Sequence, residues 1–356
     1  MGRDNPFQDR LDRFMASAEA RDEEKLRADI ERQKAEGRCD LVQMPQVETQ
    51  PFRADLEVER SPIFVSNTFK GDSWTYEREL VHPRSGEPVI QRVSVGRLHD
   101  KDRPRGALKQ IHQEVFYKLL KLWGDQGYPI MEREDEDGEQ ITVGVFGLTA
   151  YELVTYLRGN DSVDHYRRVQ TLLQDLASTP IVLEHEYSWQ ETSDKRSLKL
   201  LADVEWREKK VDPKTRRPKP DGFSKVTIYF SRTVTEGFLS KNVKQLLLGP
   251  YESLGAGGRG RRAEVARLLY PILDHELSSK ESFNCTLTSL CERLGMTPQP
   301  YKSIRGRPFK QAVRQLTGKP ILGEKYQLQV QLRESQDGQD YVLEARRHPC
   351  QLNLPL

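Results

Sequence analysis

Cysteine is scarce in this chain: four in 356 residues, at Cys39, Cys285, Cys291 and Cys350. Their scatter offers no paired framework, and a chain of this length needs none to fold. No apolar run reaches the roughly 18 residues that cross a bilayer. The first residues carry acidic groups and lack the apolar stretch of a secretory signal. These absences lead to the expectation of a reducing cytoplasm and no membrane partner. A dominant charge is also lacking. Fifty-six basic and 54 acidic side chains leave a net charge of +2. The total therefore argues for no partner, and the local distribution of charge must decide.

Signatures of chemistry are missing as well. "GAGGRG" at 255–260 matches G-x-G-x-x-G in letters, but no βαβ pattern surrounds it and no G-K-[ST] follows. It reads as an interdomain linker. Cys285 and Cys291, with His275 upstream, lack zinc-ligand spacing; Cys291 shares a helical stripe with Leu287, Leu290 and Leu294 and reads as core. The acidic run 132–139 lacks the Asp spacing of a calcium loop. No metal-spaced histidine pair stands beside a tyrosine nucleophile, which argues against strand nicking. The expectation is a protein that is not an enzyme and uses no metal or cofactor.

Three segments are distinguished by pattern. Residues 1–50 hold a charged helix, with Phe7, Leu11, Phe14 and Met15 on one face, and a Pro-containing linker. Residues 51–254 begin with β segments, "FRADLEVERSPIFVS", "SWTYERELVH" and "PVIQRVSVGRL", which predict a small antiparallel sheet. A helix at 107–127, ended by Gly124 and Gly127, comes next. An acidic turn, a short strand, a helix capped by Thr149, a helix at 163–178 and then strands complete this segment. Residues 255–356 repeat the order: helix 261–277, strand "SFNCT", helix "LTSLCERLGM", a turn and a helix with Pro308 at a first helical position, then a hairpin. Helix, strand, helix, helix and hairpin is the order of a winged helix. The expected fold is α+β: two tandem winged helices, a small antiparallel sheet and an N-terminal charged helix.

Two helices carry the basic residues suited to DNA. In 163–178, Val169, Leu172, Leu173 and Leu176 form the core stripe, and His165, Arg167, Arg168 and Thr171 lie off it near the N-terminal end. Tyr166 and Asp175 on the same helix suit a protein interface better, so DNA and a second copy of the chain are both candidate partners for this face. The second helix has Phe309, Val313 and Leu316 as its stripe. Lys302, Arg305, Arg307, Lys310, Gln311 and Arg314 lie off it, with no acidic residue between Ser303 and Leu322. Such a surface does not repel phosphate, and arginine matches phosphate or the guanine edge bidentately. Two loops add charge: Lys209, Lys210, Lys214, Arg216, Arg217 and Lys219, and then Arg259, Arg261 and Arg262.

The pieces "ERSPIFVS", "LTAYELVTYL…HYRRVQTLLQDLASTPIVLE", "LLADVEW…KVTIYFSRTV" and "VARLLYPILDHEL…LTSLCERLGM…FKQAVRQL" resemble plasmid replication initiators of the RepA/TrfA-like class. The resemblance covers roughly 58–332; residues 1–50 depart from it. It implies sequence-specific binding to repeated origin sequences in double-stranded DNA, a monomer–dimer balance through the first unit, and recruitment of the host initiator and replicative helicase. A transcriptional repressor on the same scaffold and a winged-helix assembly adaptor are the alternative functions.

Overall fold

The computed structural model describes residues 53–55, 63–71, 73–81, 88–96, 106–134, 138–158, 163–187, 193–207, 225–239, 243–246, 248–254 and 263–349. The N-terminal helix, the basic loop 209–219, the cluster Arg259, Arg261 and Arg262, and Cys39 and Cys350 lie outside them. The protein is α+β, with small antiparallel sheets. Among the described residues no helix is long and apolar enough to cross a membrane.

The first unit runs from helix α1 (Gln110–Asp125) through the hairpin β4 (Ile130–Glu134) and β5 (Gln140–Thr149). Helices α2 (Ala150–Arg158) and α3 (Val163–Ser178) follow; strand β9 (Lys225–Phe230) then returns to pair with β5, and β8 (Leu201–Arg207) pairs with β9 at the sheet edge. The apolar face of α1 is buried through Val115, Phe116, Leu119, Leu120 and Trp123. Gly127 ends that helix at φ +80°, a conformation glycine adopts without strain. Thr149 caps α2 as expected. Its backbone N–H donates to the Glu152 carboxylate at 2.9 Å, and the Glu152 N–H donates to the Thr149 hydroxyl at 3.2 Å, a reciprocal capping box. The α3 stripe is buried as predicted, with Val169, Leu173 and Leu176 inaccessible.

The second unit repeats this connectivity. Helix α6 (Glu264–Ser279), strand β11 (Ser282–Thr286), helices α7 (Leu287–Arg293) and α8 (Lys302–Leu316), and the hairpin β13 (Tyr326–Glu334) and β14 (Tyr341–Pro349) follow in order. A two-residue strand β12 (Pro320–Ile321) flanks β13. The strand orders are β4-β5-β9-β8 and β11-β14-β13-β12. In each unit the strand before the second helix pairs with the last strand of the unit, so the architectural repeat extends to the strand pairing.

Several elements differ from the sequence reading. The strand after α3, β6 (Ile181–Tyr187), does not join the first unit's sheet. It pairs with β3 (Pro88–Gly96) and β7 (Ser193–Leu198), and β3 pairs with β2 (Ser73–Val81). Ile181 and Leu183 stand opposite Val95 and Val93, and all four are buried, which fixes that register. The first residues of the acidic turn, Glu132–Glu134, belong instead to the strand β4. Arg232–Leu239 forms helix α4, an element absent from the sequence reading. The strand β10 (Val243–Gln245) pairs with β1 (Arg53–Asp55), and Leu248–Ser253 forms the short helix α5.

"SPIFVS" does not enter the β2–β3 sheet. Residues 63–66 run between the two units. The Val65 N–H donates to the Leu108 carbonyl at 2.9 Å, and the Gln110 N–H donates to the Val65 carbonyl at 2.8 Å. The next residue turns to the other unit: the Ser66 N–H donates to the Leu294 carbonyl at 2.9 Å. The buried Glu264 carboxylate at the start of α6 accepts from the Ser66 hydroxyl and the Asn67 N–H. Ile63 and Val65 belong to a buried cluster that includes residues of both units.

Candidate nucleic-acid interface

Helix α8 buries Gly306, Phe309, Ala312 and Leu316, with Val313 packed partly against the core. The helix starts at Lys302, six residues before Pro308, so Pro308 is not at a first helical position. Tyr301 is extended, and its carbonyl accepts from the Ile304 and Arg305 N–H groups, both at 3.0 Å, which begins the helix there. Pro308 lies in the second turn, where it has no N–H to return to the Ile304 carbonyl.

The basic residues of α8 divide into two sets. Lys302 and Arg305 are engaged within the chain. The Lys302 ammonium donates to the Gly338 carbonyl at 2.9 Å and to Glu334 at 3.3 Å, both at the β13–β14 turn. The Arg305 guanidinium meets Asp340 at 2.9 Å, with 11% and 12% of the two side chains exposed. It also donates to the Thr288 hydroxyl at 2.6 Å and to the Gln299 carbonyl at 2.9 Å. Asp340 in turn accepts from the Thr288 N–H and hydroxyl in the first turn of α7. One carboxylate therefore ties α7, α8 and the hairpin together.

The Tyr341 ring strengthens this brace. It lies against Gly306, where an added Cβ would come within 3.2 Å of the ring. The Lys302 and Lys310 ammoniums stand 5.8 and 5.5 Å from its centroid, within cation–π range.

The second set faces outward. Arg307, Lys310 and Arg314 are exposed, Gln311 is half-buried, and Arg307 and Arg314 form no ion pair among the described residues. Ile304, Arg307, Gln311 and Arg314 follow one another at helical spacing on the side away from Phe309 and Leu316.

On α3, Arg167, Arg168 and Thr171 are exposed and His165 is half-buried. The Thr171 hydroxyl is turned onto its own helix, donating to the Arg167 carbonyl at 3.0 Å. The two residues that suggested a protein interface have partners within the chain. Tyr166 packs against the core, and Asp175 lies 3.2 Å from the His112 imidazole of α1. The Lys109 N–H donates to Nδ1 of that ring at 2.9 Å, which leaves Nε2 to carry the proton toward Asp175.

The electrostatics of the second unit favour charged pairs inside it. Burial works against ionisation of Asp340. Donors from Thr288 and the Tyr341 N–H, with the Arg305 charge, outweigh it and hold the carboxyl below its ordinary range. Glu276 behaves alike: burial opposes its charge, but Arg293 and Lys280 lower its pKa. Both groups stabilise the folded state fully above their unfolded pKa values, roughly 4, and that contribution is lost as the pH falls through the folded values. Thermal unfolding of the chain should therefore show a melting temperature that these groups leave level down to about pH 5 and lower steeply below about pH 4. A level profile through pH 3 would remove the two carboxylates from the account.

Cys285 and Cys291 are free thiols. Burial pushes Cys291 up to about 11, against the lowering effect of Arg305, so it stays protonated and unreactive at neutral pH.

The sequence reading missed Asp340, Glu334, Thr288 and Tyr341. No known family profile matches the chain, and neither does any curated protein sequence. Among solved structures, the chain is similar to a crystal structure of selenomethionine derivatives of domains 2 and 3 of RctB. The TM-score is 0.48 at 11% sequence identity, covering 82% of this chain and 95% of that one. A second crystal structure, of RctB domains 2–3, is similar with a TM-score of 0.43 and 11% identity, covering 83% of this chain and 97% of that one.

Proposed function

We propose that the chain is a sequence-specific, non-enzymatic binder of double-stranded DNA that acts at repeated origin sites as a replication initiator of plasmid or phage type. Both units are read as winged helices, the first within 51–254 and the second within 255–356. Helix α8 enters the major groove, with its hairpin as the wing. The observation that carries this reading is the outward face of α8. Arg307 and Arg314 stand on it away from the core, Lys310 is exposed on its flank beside Tyr341, and no carboxylate lies on the helix. An exposed surface of one sign on a helix presented beside a hairpin suits the phosphate-lined groove. Origin repeats and host replication proteins enter through the resemblance to RepA/TrfA-like initiators, and Arg167 and Arg168 on α3 supply a second contact.

Selection of bound sequences from random duplex DNA tests the reading, with affinity then measured against salt. The expected outcome is a defined site and a log K that falls by about 0.9 per phosphate contact per log unit of salt. Arg307→Ala and Arg314→Ala should each weaken specific binding by about 1–3 kcal/mol with folding unchanged. Intact affinity in both variants would remove α8 from the interface.

A further inference from the structure

Six large apolar side chains stand exposed among the described residues, and two of them are neighbours at the start of α8: Tyr301, 69% exposed, and Ile304, 40% exposed. Ile304 is one turn before Arg307 on the outward face, among residues that otherwise carry charge or an amide. Its carbonyl has lost a helical donor to Pro308, and its side chain has no place in the core on the far side of the helix. Charge alone does not account for an isoleucine at that position.

We infer that Ile304 is a specificity-determining residue that packs against a thymine methyl group in the major groove; this rests on the DNA-binding reading above. The edges of the base pairs in that groove present donors and acceptors, and the C5-methyl of thymine is their one apolar feature. A β-branched side chain with one preferred rotamer in a helix fits such a contact with little ordering cost. Arg307 and Arg314, about 4.5 and 15 Å further along the axis at 1.5 Å per residue, hold the helix to phosphate or guanine on the same side. Contact with one methyl then ties the register of the helix to a single A·T pair.

The experiment uses the full chain and the duplex obtained by selection. Each thymine is replaced in turn by deoxyuridine, which removes the methyl and keeps every pairing group. The expected result is one position where the replacement weakens wild-type binding by about 3- to 10-fold, the scale of a buried methylene-sized group. Ile304→Ala should bind the thymine duplex that much more weakly and be indifferent to the replacement; Ile304→Val should retain most of the discrimination. Wild-type indifference at every thymine, or full sensitivity in Ile304→Ala, overturns the inference while Arg307-dependent binding still stands. Failure to select any duplex overturns both readings. Unchanged DNA affinity of Ile304→Ala with an altered sedimentation mass assigns the residue to contact between copies of the chain, which also overturns the inference.

Discussion

Asp340→Ala is expected to lower stability by about 3 kcal/mol, because it leaves the nearly buried Arg305 guanidinium without its counter-charge. It also removes the acceptor for the Thr288 N–H and hydroxyl at the start of α7 and for the Tyr341 N–H, so these donors lose their partner together with Arg305. Urea unfolding followed by circular dichroism reads the effect as a lower midpoint at unchanged slope. Arg305→Ala should produce a loss of similar size, and replacing both residues by apolar ones of similar volume should cost less than either single change. Additive losses would show that the two side chains act independently. The same variants separate the two sets of basic residues on α8. Arg305→Ala should weaken DNA binding in proportion to unfolding, and saturating the native state by lowering the temperature should restore it. Arg307→Ala should weaken binding at every temperature where the fold is intact.

Gly295→Ala is expected to destabilise by about 3 kcal/mol, combining roughly 1–2 for a left-handed backbone with roughly 1–3 for overpacking. Gly295 has φ +61°, and a Cβ there would lie 2.7 Å from both Cβ and Cγ1 of Val65. Val65 is inaccessible to solvent and is fixed by backbone hydrogen bonds to Leu108 and Gln110, so it has little room to withdraw. Gly338→Ala is the matched control. Its φ is +67° with nothing within 4 Å of the added atom, so it carries the backbone strain alone. Chemical denaturation of both variants isolates the contact with Val65 as their difference. Equal losses would mean that the segment 63–66 yields to the extra methyl.

The parts legible in the sequence were those governed by local pattern. The stripes Val169–Leu176 and Phe309–Leu316, the Thr149 cap and the glycine stop at 127 follow from spacing within one or two turns. The carboxylate-free run around Arg307 also needed only counting. The division of the basic residues of α8 was not legible. The partners of Lys302 and Arg305 are Glu334 and Asp340, more than 30 residues downstream, and become neighbours only when the hairpin folds back. Pro308 misplaced the helix start because the Tyr301 carbonyl, rather than proline, organises the first turn. Helix α4 was hidden by the β-branched run Thr233, Val234 and Thr235. A usable signal was present: the Ser231 hydroxyl accepts from the Val234 N–H, and Val234 and Phe238 are buried one turn apart. The placement of β6 beside β3 was not legible either, since an alternating apolar strand fits any sheet with a complementary face.

The segment 63–66 bears on what a cut in the chain would do. A single proteolytic nick between Leu254 and Ala263 breaks the only covalent path that runs directly from the first unit to the second. The earlier fragment keeps Val65 and Ser66, and these remain hydrogen-bonded or packed against Leu294, Gly295 and Glu264 of the later one. Arg267 adds a 2.7 Å contact to Glu114 and a 3.0 Å contact to the Leu254 carbonyl from the other side. The two pieces should travel as one particle on a native column and separate only in denaturant. The segment 63–66, far from the join in sequence, is thus expected to keep the two halves together after the peptide between them is cut.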